Sequence, residues 1–208
     1  MNEETIAGFL EGLASGAPVP GGGGAAALSA AMGAALVAMV CNLTLGQEKY
    51  RAYEETMARA LVEATEQRAL ALVLAEEDGA AYGAVRAAYS LPRASDEEKR
   101  TRGARNHEAL KAAADVPLRT AAVAARIVEL CEEILPGGNP NVVSDVGVGA
   151  LSARAALESA ALNVRINLAL IKDEEYKQKT AAELERRLAT ARPRADEVVR
   201  QVEERIGQ

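Results

Sequence analysis

An aspartate interrupts an otherwise apolar stripe of the sequence. Leu74, Asp78, Tyr82 and Val85 follow one another at spacings of four, four and three residues, which places them along one face of a helix. A carboxylate in apolar surroundings has a raised pKa, because burial disfavours its charged form, and such a group suits general acid or base catalysis. By spacing alone, a surface Asp78 paired with an arginine such as Arg86 is the more frequent arrangement.

A run of glycines lies directly ahead of a predicted helix. Pro20 is followed by Gly21, Gly22, Gly23 and Gly24. Backbone N–H groups at a helix start can bind an anion or a carbonyl group. The run lacks the Lys-Ser or Lys-Thr of a P-loop and the preceding strand of a dinucleotide-binding turn. Close packing of helices explains the glycines equally well.

Two further groups of polar residues could bind a ligand. Asn139, Asn141 and Asp145 lie at a loop–helix junction and Asn163 and Asn167 follow on the same helix; together their amides and carboxylate could bind a flat heterocycle. Taken singly, each could instead cap a helix or bridge neighbouring helices.

Asn42 and Lys49 lie where a long uncharged helix is predicted to end. Lys49 could offer a cation to a ligand that bears a carboxylate, although an ordinary helix C-terminus explains the same residues. His107 lies in a charged stretch, and we predict that it is a surface residue.

Alanine accounts for 45 of the 208 residues, and aromatic residues for 3%. This composition favours helix throughout. We therefore predict an all-α fold, an antiparallel up-and-down bundle of five to six helices, in a single domain over residues 1–208. The predicted helices are 3–15, 22–45, 48–89, 96–135 with a kink at Pro117, a helix capped by Ser144 or Asn141, and 173–206. The fifth helix carries an apolar stripe from Val146 to Ile171, and the last one a narrow apolar edge formed by Leu184, Leu188, Val198 and Val202.

Charge and composition exclude several classes of function. The net charge of −6 and the pI near 5.1 disfavour nucleic-acid binding. A single histidine excludes zinc sites built on paired histidines, and we read Cys41 and Cys131 as reduced core thiols. No charge occurs between Glu11 and Glu48, and we read this segment as a helix buried on all sides rather than a membrane span. An acidic N-terminus disfavours export, so we expect a cytoplasmic protein.

Six ordered motifs resemble the cyclodeaminase/cyclohydrolase family, which includes the C-terminal half of bifunctional formiminotransferase-cyclodeaminases and stand-alone bacterial methenyltetrahydrofolate cyclohydrolases. The resemblance spans nearly the whole chain. Two positions depart from the family pattern, because Gly24 replaces a usual Ser and Gly79 replaces a small residue that carries a Cβ. The motifs are PVPGGG at 18–23, NLTLG at 42–46 with Lys49-Tyr50, DGAAY at 78–82, VPL at 116–118, GNPN at 138–141 with SDVG at 144–147, and NVRIN at 163–167.

The resemblance implies a helical homodimer that acts on tetrahydrofolate derivatives without a metal or a nucleotide cofactor. The implied reactions are hydrolysis of 5,10-methenyltetrahydrofolate to 10-formyltetrahydrofolate and cyclisation of 5-formiminotetrahydrofolate with release of ammonia. The family's catalytic aspartate falls at Asp78, and a separate formiminotransferase could be a partner.

The resemblance also implies roles for the other polar positions. Lys49 would bind the glutamate carboxylate of the folate, and Tyr82 could pack against the ring of the folate. A different class of function, a non-catalytic helical scaffold, would make Asp78 dispensable. The residues implied in folate binding are Gly21, Gly22, Gly23, Asn42, Lys49, Tyr82, Asn139, Asn141, Asp145, Asn163 and Asn167.

Overall fold

The computed structural model describes residues 5–207, and these form a bundle of helices. No strand occurs within this range, which confirms the all-α prediction. Two short 3-10 segments, Glu48–Tyr53 and Pro140–Val142, join long helices. The helices are α1 (Ile6–Leu13), α2 (Gly22–Asn42), α3 (Glu54–Tyr89), α4 (Asp96–Ile134), α5 (Val143–Leu170) and α6 (Glu174–Ile206).

Side-chain caps define several helix starts. The Thr5 hydroxyl accepts a hydrogen bond from the Gly8 amide at the start of α1; residues 3 and 4 of the predicted first helix lie outside the described residues. Ser95 and Glu98 form a reciprocal capping box at the start of α4. Such caps satisfy amides that have no partner within the helix, so the local sequence fixes these boundaries.

Helices α2, α3, α4 and α5 form a four-membered ring in which each helix packs against two neighbours. Contacts between early residues of one helix and late residues of the next show that neighbours run antiparallel, as in the Glu63–Arg126 ion pair between α3 and α4. Helix α6 packs outside the ring, against α4 and α5. Its predicted apolar edge is confirmed, since Leu184, Leu188, Val198 and Val202 are buried.

Small residues let α2 and α5 approach closely. Gly33 packs against Gly149 and Ala153, where an added Cβ would lie 3.0 Å from the Gly149 carbonyl oxygen. Alanines on both helices are fully buried, including Ala30 and Ala160. Gly33 therefore serves the close packing of these two helices.

Helix α2 differs from the prediction in two respects. It ends at Asn42 rather than Leu45 and is not buried on all sides, because Met32 is 52% exposed and Met39 36% exposed. Within residues 5–207 it is the one helix long and apolar enough to cross a membrane. Most of that helix is nonetheless buried against α3, α4 and α5, as in the core helix of a helical bundle.

One other local prediction also changes, because residues 48–53 form a 3-10 segment rather than the first turns of α3. Helix α4 continues through Pro117 as predicted, and the kink at that residue stays a prediction. Cys41 and Cys131 are buried and unpaired, as expected for core thiols.

Candidate active site

A cleft of about 320 Å³ opens beside the N-terminus of α2. Four parts of the chain meet there: the 18–23 segment, the second half of α3, the first half of α4 and the last turns of α5. The antiparallel order of the ring brings these segments to one end of the bundle. The cleft is lined by Pro18, Val19, Gly21, Gly22, Gly23, Asp78, Ala81, Tyr82, Val85, Leu110, Ala113, Asn163, Ile166, Asn167 and Leu170.

The Asp78 carboxylate lies directly against the start of α2. A Cβ added at Gly23 would overlap both carboxylate oxygens and the carboxyl carbon, so this position requires glycine. The Gly24 amide donates a hydrogen bond to the carboxylate. The glycine run thus allows the close approach of an acid to a helix N-terminus, where amides have no intrahelical partner.

Burial raises the pKa of Asp78 above its ordinary value, and the Gly24 amide offsets part of this rise. No basic side chain within residues 5–207 forms an ion pair with Asp78. Its neighbour Glu77 pairs with Arg119 at 2.5 Å, while the suggested partner Arg86 is not bonded to Asp78. The interpretation of Asp78 as an acid in an apolar stripe therefore describes the structure better than the surface ion pair.

Gly79, which follows the acid, accommodates the loop that enters α2. A Cβ at this position would lie 2.8 Å from the Val19 Cγ1 atom. The Val19–Pro20 peptide bond is cis, and Val19 itself lines the cleft. Gly79 therefore lets the 18–21 segment close over this side of the site.

The two asparagines of α5 are held in place by backbone carbonyl groups. Asn163 Nδ2 donates to the Ser159 carbonyl at 2.8 Å, and Asn167 Nδ2 donates to the Ala113 carbonyl at 2.8 Å. The Ala113 carbonyl is free for this bond because Pro117, four residues later, has no N–H to donate. Within the described chain neither Oδ1 atom accepts a hydrogen bond, so both can accept from a ligand.

Apolar side chains form the remaining walls. Leu110 and Ala113 are nearly buried, whereas Tyr82 is 42% exposed and borders the opening. Asp78 is the one charged residue among those that line the cleft. Within residues 5–207 no group of three or more His, Cys, Asp or Glu side chains is arranged to hold a metal ion.

The opposite end of α2 carries the second polar cluster, centred on the nearly buried Asn139. Asn139 Nδ2 donates to the Leu43 carbonyl at 3.1 Å, and its backbone amide donates to Thr44 Oγ1 at 3.0 Å. Its Oδ1 accepts from the Tyr50 hydroxyl and the Asn141 amide, both at 3.1 Å. The polar groups of Asn139 are thus all bonded within the protein: three bonds tie it to Leu43, Thr44 and Tyr50, and the others, from Asn141 and Val142, lie within the 139–142 segment.

The predicted binding residues therefore divide between two ends of the bundle. Gly21, Gly22, Gly23, Tyr82, Asn163 and Asn167 join Asp78 in the cleft, whereas Asn42, Lys49, Asn139, Asn141 and Asp145 do not line it. The 21 residues of α2 separate the two groups by about 30 Å at the usual helical rise. The Lys49 ammonium lies 4.5 Å from the centre of the Tyr50 ring, at the far end from Asp78.

Sequence reasoning missed the apolar walls of the cleft. Leu110 and Ala113 on α4, and Ile166 and Leu170 on α5, give no chemical signal of their own. Their spacings of three and four residues put each pair on one helix face. This spacing, together with Asn163 and Asn167 on α5, was the signal in the sequence that could have identified these walls of the cleft.

Comparison with known proteins agrees with this geometry. The sequence profile described as formiminotransferase-cyclodeaminase matches residues 5–186. The chain belongs to the formiminotransferase-cyclodeaminase family. The matched region includes both polar clusters and every residue that lines the cleft.

Individual members of this family show similarity over nearly the whole chain. A methenyltetrahydrofolate cyclohydrolase from Methylorubrum extorquens is 49% identical over 188 residues, which are 90% of each chain. A mouse formimidoyltransferase-cyclodeaminase is 30% identical over 98% of this chain and 38% of its own length. The crystal structure of formiminotetrahydrofolate cyclodeaminase from Thermotoga maritima superposes with a TM-score of 0.89 at 29% identity, covering 99% of this chain and 98% of that one.

Proposed function

We propose that this chain is a folate one-carbon enzyme that hydrolyses 5,10-methenyltetrahydrofolate to 10-formyltetrahydrofolate, with Asp78 as general acid and base. The observation that carries the proposal is a desolvated carboxylate that is the one charged group lining an apolar cleft. The methenyl substrate carries a positive charge shared between N5 and N10. A carboxylate in low-dielectric surroundings attracts such a cation strongly. The methenyltetrahydrofolate cyclohydrolase relative, similar over 90% of both chains, supports the same substrate.

In the first step, water adds to the methenyl carbon while the Asp78 carboxylate accepts a proton from it. The new C–O bond neutralises the cation and gives a tetrahedral carbon attached to N5, N10 and a hydroxyl group. The positive substrate lowers the pKa of the nearby carboxyl on binding, which keeps Asp78 ionised for this step.

In the second step, the C–N5 bond breaks as the hydroxyl oxygen forms the formyl C=O bond. Protonated Asp78 gives its proton to N5, and the hydroxyl proton leaves to solvent. A carboxyl whose pKa is raised by burial serves both steps, because it can be a base in one and an acid in the next. The Gly24 amide keeps the carboxylate in place throughout.

A second candidate reaction is the cyclisation of 5-formiminotetrahydrofolate. The observation that favours it is the close structural match to the Thermotoga cyclodeaminase over nearly the full length of both chains. Here N10 attacks the carbon of the protonated formimino group (–CH=NH2+), Asp78 moves the N10 proton to the leaving nitrogen, and ammonia departs as the positively charged methenyl bridge forms. A separate formiminotransferase would supply this substrate, and neither reaction calls for a bound prosthetic group.

The homodimer is part of the same proposal, and an exposed apolar surface supports it. Neighbouring helices α2 and α5 expose several large apolar side chains, and exposed apolar side chains are more frequent at protein interfaces than elsewhere on a protein surface. Light scattering on the purified chain should give twice the monomer mass, and a monomer would contradict the dimer. The exposed side chains are Met32, Met39, Val148, Leu151, Leu162 and Ile166.

The cytoplasmic location stays a prediction.

The direct test follows the decay of 5,10-methenyltetrahydrofolate absorbance at a pH where spontaneous hydrolysis is slow. We expect the wild type to accelerate the decay and Asp78→Asn to lose at least about 100-fold in kcat, because a general acid–base group contributes this much. Asn keeps the size of the side chain, so the variant should fold and still bind substrate. Release of ammonia from 5-formiminotetrahydrofolate, measured in parallel, distinguishes the second reaction. Turnover of neither substrate would contradict the proposal.

A further inference from the structure

Within residues 5–207 two helices contain an interior proline, Pro117 in α4 and Pro193 in α6. An internal proline has no N–H for the carbonyl group four residues earlier, and its ring crowds that carbonyl group. Proline is for this reason the least favourable residue inside a helix. The two carbonyl groups that lose their helical partner belong to Ala113 and Ala189, and their surroundings differ.

The Ala189 carbonyl group lies on the outer helix of the bundle. Ala189 and Pro193 are both exposed, and within the described chain no side chain donates to this carbonyl group. Water can satisfy a carbonyl group at such a position. The bond that Pro193 removes from α6 is therefore not replaced by another part of the protein.

The Ala113 carbonyl group, in contrast, accepts a hydrogen bond from Asn167 Nδ2 at 2.8 Å. Ala113 is buried, and it lines the cleft together with Asn167. Asn163, one turn earlier on α5, donates to the Ser159 carbonyl group of its own helix. The bond of Asn163 is thus local to α5, whereas the bond of Asn167 uses a carbonyl group that α4 leaves free.

This bond determines which end of the Asn167 side chain faces the cleft. A carbonyl group accepts hydrogen bonds and donates none, so it can bind only the amino end of a carboxamide. Asn167 Oδ1 accepts no bond from a described residue, and it is not one of the buried atoms that lack a partner, so it is open to the cleft. Without the bond to Ala113, the carboxamide could turn by about 180° and present its N–H groups instead.

We infer that Pro117 is a positioning residue for substrate binding. It reserves the Ala113 carbonyl group for Asn167 and thereby holds Asn167 Oδ1 toward the cleft as a hydrogen-bond acceptor. Such an acceptor suits the reduced pterin ring of a tetrahydrofolate, which carries N–H donors at N3, at N8 and on its 2-amino group. This inference rests on the proposed function, and it gives a role to a proline that the helix itself disfavours.

The test replaces Pro117 by alanine, which restores an N–H that can donate to the Ala113 carbonyl group. We expect the KM for 5,10-methenyltetrahydrofolate to rise roughly fivefold, the value of one neutral hydrogen bond, with kcat within about twofold of wild type. Tm should stay within about 5 °C of wild type, because the gain in helix propensity offsets the loss of the buried ring. The matched control Pro193→Ala makes the same change at the exposed position and should leave KM unchanged.

A double-mutant cycle separates positioning of Asn167 from a general effect on the fold. Asn167→Ala should raise KM by itself, and the addition of Pro117→Ala should then cause no further rise. Dissociation constants of 5-formyltetrahydrofolate, which carries the same ring donors, are measured for the wild type, both single variants and the double variant. They should follow the same pattern.

A wild-type KM in Pro117→Ala would overturn the inference, as would a full further rise in KM in the Asn167→Ala background. Loss of the fold in Pro117→Ala would also overturn it, because the proline would then act through packing. Any of these results together with turnover by the wild type refutes the role of Pro117 alone. Absence of turnover by the wild type refutes the proposed function, and the dissociation constants of 5-formyltetrahydrofolate then decide whether Pro117 orients Asn167.

Discussion

The two ends of α2 carry similar polar residues and use them in opposite ways. At the C-terminal end, every polar group of Asn139 is bonded to the protein. At the N-terminal end, the Asp78 carboxylate is desolvated beside an open cleft, and the Oδ1 atoms of Asn163 and Asn167 accept no bond within the described chain. Satisfied polar groups stabilise the fold, while unsatisfied groups in a cavity are free for a ligand. The polar groups at the C-terminal end of α2 thus stabilise the fold, and those at its N-terminal end belong to the proposed active site.

Gly23→Ala tests the cleft end most severely. The new methyl group would overlap the Asp78 carboxylate, so we expect the acid to move and kcat/KM to fall by about 100-fold, the usual effect of displacing a catalytic group by an ångström. Steady-state hydrolysis of 5,10-methenyltetrahydrofolate measures this loss.

Gly83→Ala is the matched control on α3, because an added Cβ there meets nothing within 4 Å. It should leave the rate unchanged and raise stability by up to about 1 kcal/mol, the helix-propensity difference between the two residues. If Gly23→Ala were as active as Gly83→Ala, the approach of Asp78 to α2 would have no role in the reaction.

Asn139→Ala tests the structural end. It removes the side-chain bonds to Leu43, Tyr50 and Asn141, so the free energy of unfolding should fall by about 1–3 kcal/mol. Denaturant unfolding measures the loss, and kcat per folded molecule should stay within about twofold of wild type, since the proposed catalytic cleft lies at the other end. A large loss of kcat in a fully folded variant would place chemistry at this end too.

The pH dependence of stability gives the smallest expected effect. Because burial raises the pKa of Asp78, the folded state binds more protons than the unfolded state between the unfolded and folded pKa values. The free energy of unfolding of the wild type therefore falls as pH rises through this window. Asp78→Asn does not titrate there, so it should become more stable than the wild type at neutral pH.

Thermal unfolding across pH 3 to 8 measures this difference, with Glu66→Gln as a control for loss of an exposed carboxylate on the same helix. Below the ordinary pKa of an aspartate, about 3.9, the advantage of Asp78→Asn should vanish. A wild type more stable than Asp78→Asn at neutral pH would show that the ionised carboxylate stabilises the fold.

Local patterns in the sequence were sufficient to predict most of the fold. Helical spacing identified the α5 stripe and the outer edge of α6, and Asp78 was found because one acid broke an apolar stripe. The same reasoning could not separate Asn163 from Asn139, since both are asparagines near helix ends. Their difference depends on which carbonyls and hydroxyls the packed bundle brings near them, and a single sequence does not record this. The bond from Asn167 to the carbonyl freed by Pro117 arises in the same way.

The partial exposure of α2 could not be predicted from the local sequence either. A helix without charges is predicted to be buried on every side. In a ring of four helices, however, the neighbours cover only part of each helix, and the remaining face of α2 is exposed to solvent. The cavity that adjoins the cleft at Leu110 and Leu170 was missed for a related reason. Its lining residues come from the end of α3, from α4 and from the α5–α6 junction, and the antiparallel packing places them beside the cleft.

The most direct test of the central claim measures hydrolysis of 5,10-methenyltetrahydrofolate by Asp78→Asn and Asn139→Ala side by side, per folded molecule. The account predicts that Asp78→Asn folds and binds the substrate but loses at least about 100-fold in kcat, while Asn139→Ala is less stable and nearly fully active. An active Asp78→Asn, or an Asn139→Ala that folds fully and is inactive, would contradict the account.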